Sequence, residues 1–315
     1  MNNTLLVSPS PHIHSSSSTR RIMLDVIIAL CPALVASVII FGPRAFAVTA
    51  LCVAVCVFAE WGFEKICKRE NTAGDLSAAV TGVLLAFNLP ATVPLWQAAF
   101  GSIVAIVVVK QLFGGIGKNF ANPAITARIV MLLSFSGAMS DFSTANDALG
   151  GATPLSVMSA GGDMPSLLDM FLGRHGGSLG ETCTLALLAG GVYLVARKVI
   201  TWHTPVVYLA TVALFTLALG EDPIYHLLSG GLVLGAIFMA TDYSTTPSTS
   251  WGKVIFGLGC GLITVLIRVF GSYPEGVSFA ILLMNILTPY ISKWTMRKPF
   301  GAIEAKAGRK DGRAV

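Results

Sequence analysis

The sequence predicts an all-α integral membrane protein, with about ten transmembrane helices in two inverted five-helix repeats. Three observations lead there. First, 54% of the 315 residues are hydrophobic and only 12% are charged, with a mean hydropathy of +0.74. A soluble domain carries about 25% charge. Second, the basic residues are sorted between alternate connections. Third, Gly82 and Pro94 recur as Gly235 and Pro247 at one common offset, and Phe113-Gly114 recurs as Phe270-Gly271 four residues further on. The first copy begins in the third span and the second in the eighth. The two copies are therefore antiparallel in the membrane, as in many transporter folds.

A membrane-spanning helix needs about 20 apolar residues. The first candidate is 22–41, with Asp25 and Pro32 near its start, and the second is 45–63, followed by Glu64, Lys65, Lys68 and Arg69. The third, 76–89, is short and stops at Pro90. The fourth is 95–113, and the fifth, 123–135, is short and holds Arg128. After a long polar loop come 179–195, 205–219, 227–241, 254–270 and 277–290. The short third, fifth and eighth stretches, with Gly or Pro at their ends, suit broken helices at a repeat interface.

Of the 21 Lys and Arg residues, seventeen fall on one side of this arrangement. Only Arg44, Arg174 and Arg268 fall on the other, and Arg128 lies inside the membrane. Cytoplasmic connections carry the excess of Lys and Arg. Both termini are therefore expected in the cytoplasm, and the long loop on the outer face of a plasma or inner membrane. The expected organisation is a cytoplasmic N-terminal segment 1–21, a first repeat 22–136, an outer loop 137–178, a second repeat 179–291 and a basic tail 292–315. Residues 1–18 are rich in serine and do not read as a cleavable signal peptide, because no apolar core follows a basic start.

The six cysteines form no CxxC pair and mostly lie in apolar runs, which argues against an iron–sulfur cluster held by this chain alone. His12 and His14 read as solvated. No metal site, no nucleic-acid interface and no catalytic residue is expected.

The loop 137–178 carries four aspartates and eight glycines. A loop of this length in a compact protein usually has a function. Within it lies Gly150-Gly151-Ala152-Thr153-Pro154-Leu155. The glycines allow close backbone approach to a bulky group, Pro154 stiffens the exit, and Thr153 supplies one hydroxyl. The same residues also suit a plain surface turn. Asp242 ends the eighth stretch, where an ionisable group at a helix break can meet an ion or substrate; a loop carboxylate at the interface is the alternative. Asp75 and Glu60 are weaker candidates of the same kind. The glycine-rich, basic stretch 110–123 lacks the GxxxxGK[ST] order and is no P-loop; it either lines a pocket or makes a tight connection. Arg128 has no partner nearby in sequence, and a buried arginine must pair. It reads as structural glue or an anion contact.

Taken together, residues 110–123, Gly151-Ala152-Thr153-Pro154-Leu155, Phe238-Met239-Ala240-Thr241-Asp242 and Phe270-Gly271-Ser272-Tyr273-Pro274-Glu275-Gly276 resemble the RnfD/NqrB family over 8–289. These are membrane subunits of the ion-pumping ferredoxin:NAD oxidoreductase, Rnf, and of the related sodium-pumping quinone reductase. In length the chain is similar to the Rnf members. The resemblance implies that Thr153 carries FMN through a phosphoester, with Gly151, Ala152, Pro154 and Leu155 around it. It implies a second flavin, riboflavin, between the helices, and a role for Asp242 in handling Na+ or H+. The implied partners are the other Rnf subunits, RnfA, RnfB, RnfC, RnfE and RnfG. The family often has Ser or Asp before Gly-Ala-Thr, where this chain has Gly150 and Gly151, so the site is less polar. The expected function is to pass electrons through covalent FMN, as part of a translocase and without stand-alone activity, while ferredoxin/NAD electron transfer drives Na+ or H+ across the membrane. The rival reading is a small-solute channel or secondary transporter of urea-transporter-like architecture; fold analogy alone assigns no function.

Overall fold

The structure is a computed structural model that describes residues 18–142, 153–162, 164–181, 183–271 and 276–296. Among the described residues the chain is helical, with no strand. Four helices are long and apolar enough to cross a membrane, and five shorter apolar ones have 10–17 residues.

Helix α1 spans Thr19–Phe41, with the Ser18 hydroxyl accepting from Arg21 N as its cap. It turns at Gly42, whose φ of +78° favours glycine, straight into α2, Pro43–Ile66, with Pro43 in its first turn. Helix α3, Ser77–Phe87, is cut short before Pro90, as the sequence predicts. The fourth element, α4, differs from the expected regular span: it is α-helical over Leu95–Ile103 and continues as a π-helix over Val104–Gln111. Helix α5, Pro123–Ser134, is capped by the Asn122 side chain, which accepts from Ala124 N and Ile125 N.

The long loop is not structureless. It holds three short helices: α6, Ser136–Met139, α7, Pro154–Ala160, and α8, Leu167–Leu172. Thr153 caps α7 and Ser166 caps α8, and each of these two helices ends on a glycine with positive φ, Gly161 and Gly173. The chain then returns into the bundle. Leu179 N donates to Leu89 O at 3.0 Å and Gly180 N to Phe87 O at 2.9 Å. These bonds satisfy carbonyls left open where α3 stops. A side chain at residue 180 would collide with Phe87, so glycine is needed there.

Helix α9, Thr184–Ala196, begins five residues later than expected because of this return. Helix α10, His203–Ala218, follows. The expected eighth span is two pieces: α11, Pro223–Leu228, and α12, which runs over Leu232–Leu234 and on as a π-helix over Gly235–Met239. Gly230 and Gly231, both with positive φ, make the break. Helices α13, Ser250–Phe270, and α14, Val277–Thr295, complete the bundle. Helix α14 runs five residues past its expected end, with Pro289 inside it.

Helix α2 packs against α3 and α4, and α13 packs against α10 and α14; α1 against α9 and α5 against α14 join the two halves. The recurrent glycines sit at close crossings. A Cβ on Gly82 would lie 2.7 Å from Val53 Cα on α2, and one on Gly235 would lie 2.5 Å from Val277 Cγ1 on α14. The main core follows these crossings, with Leu30, Phe87, Ile125, Leu187, Tyr208, Phe256 and Ile281 fully enclosed. The apolar exterior, including Ile39, Phe58, Val192 and Leu214, suits lipid contact.

Candidate functional site

Two regions carry the residues singled out from the sequence. The first is a cavity where the starts of α1, α3 and α5 meet the ends of α4, α9 and α12. Its wall includes Ser77, Lys110, Asn119, Asn122, Thr241 and Asp242. It measures about 90 Å³, room for several waters at roughly 10–15 Å³ each. The glycine-rich stretch 110–123 therefore lines a pocket, and it does so beside Asp242.

Asp242 is half-buried at the turn after the π-helical part of α12. Its Oδ1 accepts from Ser244 N at 3.3 Å, and its Oδ2 from Ser244 Oγ at 3.0 Å and Thr245 Oγ1 at 3.2 Å. Solvent reaches it through the cavity, yet protein surrounds it. Burial raises its carboxyl above the usual carboxylate value, while the Ser244 and Thr245 bonds and the charge of Lys110 act the other way. The neighbouring Thr241 hydroxyl donates to Ile237 O of its own helix at 2.5 Å.

Behind the cavity wall lies a buried charge network. The Lys110 ammonium is 2.6 Å from Glu60 Oε1 and 2.5 Å from Ser77 Oγ. Gln111 Nε2 also donates to Glu60 Oε1 at 2.7 Å and to Glu64 Oε1 at 3.4 Å. Glu64 is held by the Thr72 backbone N at 3.1 Å and by the Thr72 hydroxyl. Asp75 accepts from Ser77 N at 2.7 Å, which ties it to the same corner. Glu60 Oε2 is buried and without a hydrogen-bond partner among the described residues. Sequence reasoning passes over Lys110 as a site residue, although the signal is there. It is the one cation in the apolar stretch 95–113, and Glu60 is the one charged residue in 45–63. Opposite charges stranded in two neighbouring apolar spans have reason to pair.

Arg128 has its partners. Its Nη1 donates to Asn88 Oδ1 at 3.1 Å and to Ser278 Oγ at 2.9 Å, linking α5 to α3 and α14. With the Asn285 amide turned to satisfy both of its ends, its nitrogen donates to Thr245 O and its oxygen accepts from Asn122 N, each at 3.1 Å. The middle of α5 thus meets the start of α14, and the middle of α14 meets the cap of α5.

The second region is the opposite end of the bundle, around Thr153. Thr153 is 7% exposed. Its Oγ1 accepts from Ser156 N at 3.3 Å and lies 3.2 Å from Ser156 Oγ. Pro154 opens α7, and Leu155 is buried against the Gly230 turn, beside the Arg268 guanidinium. Gly151 and Ala152 lie outside the described residues, as do His12 and His14. Arg268 donates to His226 O at 2.6 Å and Ser229 O at 2.9 Å. Arg44 does the same for Ala91 O at 2.8 Å and Thr92 O at 3.0 Å. Two of the three basic residues expected on the sparsely charged side therefore hold backbone carbonyls, Arg268 at the α11–α12 break and Arg44 in the α3–α4 connection. Among the described residues no group of His, Cys, Asp and Glu is arranged to hold a metal ion.

Residues 6–301 match the model of the NQR2, RnfD, RnfE family. The chain belongs to that family. Its relatives include the D subunit of the Na+-translocating ferredoxin:NAD+ oxidoreductase complex of Acetobacterium woodii, 49% identical over 97% of this chain and 98% of that one. The D subunit of the proton-translocating ferredoxin:NAD+ oxidoreductase complex of Clostridium ljungdahlii is 41% identical over 95% and 97%. The D subunit of an ion-translocating oxidoreductase complex of Marinobacter nauticus is 36% identical over 96% and 97%. The stretches that carry the resemblance in this chain include both walls of the cavity, 110–123 and 238–242, and the Thr153 cap.

Proposed function

We propose that this chain is the D subunit of a membrane-bound ferredoxin:NAD oxidoreductase complex, in which electron transfer drives Na+ across the membrane. The observation that carries this is the end-to-end match, at 49% identity, to a subunit bearing that description. The chain has no activity alone; it works with the other Rnf subunits.

In this reading Thr153 carries FMN as a phosphoester. The residues fit the group. The cap of α7 uses Thr153 Oγ1 as an acceptor from Ser156 N, a role the oxygen keeps in a phosphoester, whereas the bond its hydroxyl donates to Ser156 Oγ at 3.2 Å is given up when the ester forms. Leu155 anchors the helix from below against Gly230, which fixes the threonine relative to the bundle. When bound, FMN supplies one- and two-electron redox chemistry, and the protein supplies its position and surroundings. Riboflavin as a second group belongs to the same proposal, without an assigned position.

Asp242 is the proposed ion contact. A hard cation prefers oxygen ligands, and the cavity is lined by Asp242 and Ser244 and, on the facing wall, by Asn122. Sodium is favoured over the proton by the more similar relative.

We further propose ten membrane crossings in two inverted repeats, with both termini in the cytoplasm and Thr153 on the outer face. Nine apolar helices and the shorter α12 and the reciprocal α5–α14 contacts support this. The test of function is in-gel flavin fluorescence of the complex purified from native membranes. A fluorescent band at the mass of this chain after denaturation is expected; a dark band from active complex contradicts it.

A further inference from the structure

Lys110 is the one buried lysine among the described residues, and it faces two acidic groups in different settings. Its ammonium has three donors. One meets Glu60 Oε1 at 2.6 Å and one meets Ser77 Oγ at 2.5 Å. The third has no protein partner among the described residues, and Lys110 forms part of the cavity wall that also holds Asp242. Glu60, for its part, keeps one buried oxygen without a partner and has Gln111 Nε2 at 2.7 Å. Glu60 can therefore keep a hydrogen bond if the ammonium leaves.

The backbone here is suited to rearrangement. Lys110 lies in the last turn of the π-helix Val104–Gln111, and Asp242 follows the π-helix Gly235–Met239. π-Helical turns are rare and concentrate at functional sites. The last turns of both line one cavity, through Lys110 and Phe238.

We propose that Lys110 is a tethered cation that competes with the translocated ion for Asp242. In the arrangement seen here the ammonium rests on Glu60 and Ser77, and Asp242 is open to a cation from the cavity. When the ammonium turns to Asp242, it neutralises that carboxylate and expels the ion, while Glu60, left without its counter-charge, takes up a proton from solvent and keeps its bond from Gln111. Each state keeps one positive charge on the Asp242 carboxylate, so neither strands that carboxylate bare inside the bundle. This rests on the proposed role of Asp242 as the ion contact. Lys110 is a positioning residue, since it acts on the ion through Asp242.

Two variants move the competition in opposite directions. Glu60→Gln weakens the resting place of the ammonium and sends it to Asp242. The half-saturating sodium concentration for ferredoxin:NAD activity should rise, by roughly tenfold, a usual size for coupling between sites. Lys110→Met combined with Glu60→Gln removes the competitor without leaving a lone buried carboxylate. Half-saturating sodium should then fall to the unmodified value or below. Both are measured on the whole complex in native membrane vesicles, with flavin content as the check on assembly. Should the Met form fail to assemble, Lys110→Gln with Glu60→Gln keeps an amide pair at the position and takes the same measurement.

A simple helix–helix tie would change the maximal rate or the yield, not half-saturating sodium in opposite directions. Equal shifts in both variants would make Glu60 itself an ion ligand and overturn the proposal. No shift in either would overturn it too. An unmodified complex indifferent to sodium would overturn the ion reading of Asp242, and the role of Lys110 with it. That outcome is seen before any variant is made.

Discussion

Arg128 Nη1 lies 2.9 Å from Ser278 Oγ, and this contact ties the fifth helix of one half of the bundle to the last helix of the other. The same guanidinium nitrogen holds Asn88, at the point where α3 stops. One charged group thus bridges three elements at the centre of the molecule. Hydrogen bonds to a charged group contribute about 1.5–3 kcal/mol each.

Arg128→Met should therefore strand Asn88 Oδ1 and Ser278 Oγ and lower stability by several kcal/mol, at about 1–3 kcal/mol for each buried polar group left unsatisfied. The measurement is thermal unfolding of the detergent-solubilised protein. An unchanged midpoint would mean that Arg128 carries no structural load, and would leave it as an anion contact.

Much of this is legible in the sequence, and the exceptions have physical causes. The apolar helices, the breaks at Pro90 and before Pro123, and the wide apolar surface follow from hydropathy and proline. The break at Ser229–Gly231 is hidden inside an apolar stretch, because the glycines cost hydropathy little. The π-helices in α4 and α12 leave no mark on composition. Thr153 reads as a hydroxyl in a polar loop, but its burial does not show, since the contacts that draw the loop inward, of 179–181 with Phe87 and Leu89 and of Leu155 with the Gly230 turn, are tertiary. Asp242 and the stretch 110–123 stand out separately; that they share one cavity is a tertiary fact. Arg128 needs a partner, but Ser278, 150 residues away, cannot be picked out from sequence.

The carboxyl of Asp242 is raised by burial, which gives the ion site a pH dependence. The protonated form is neutral and has lost its attraction for a cation. As pH falls towards the raised value, half-saturating sodium should increase, beginning at higher pH than for an ordinary carboxylate near 3.8. Asp242→Asn should keep its flavin, raise half-saturating sodium even at neutral pH and lose this pH dependence. Full activity and an unaltered sodium response in Asp242→Asn would make it a plain interfacial carboxylate.

The split of basic residues predicts that the Thr153 end faces outward. Ala160, exposed at the end of α7, is the reporter. In a variant otherwise free of cysteine, Ala160→Cys should react with an impermeant thiol reagent added to intact cells. Cys67, exposed just after α2, kept as the single cysteine in a second variant, should react only after the cells are broken. The reverse pattern would invert the orientation.

Thr153 is the proposed attachment point of covalent flavin. The direct measurement is mass spectrometry of the peptide containing Thr153, taken from the complex purified from native membranes in active form. The account predicts a peptide heavier by FMN less one water, with the modification on Thr153 and absent from a Thr153→Ala variant that still inserts in the membrane. An unmodified Thr153 peptide from an active complex would contradict it.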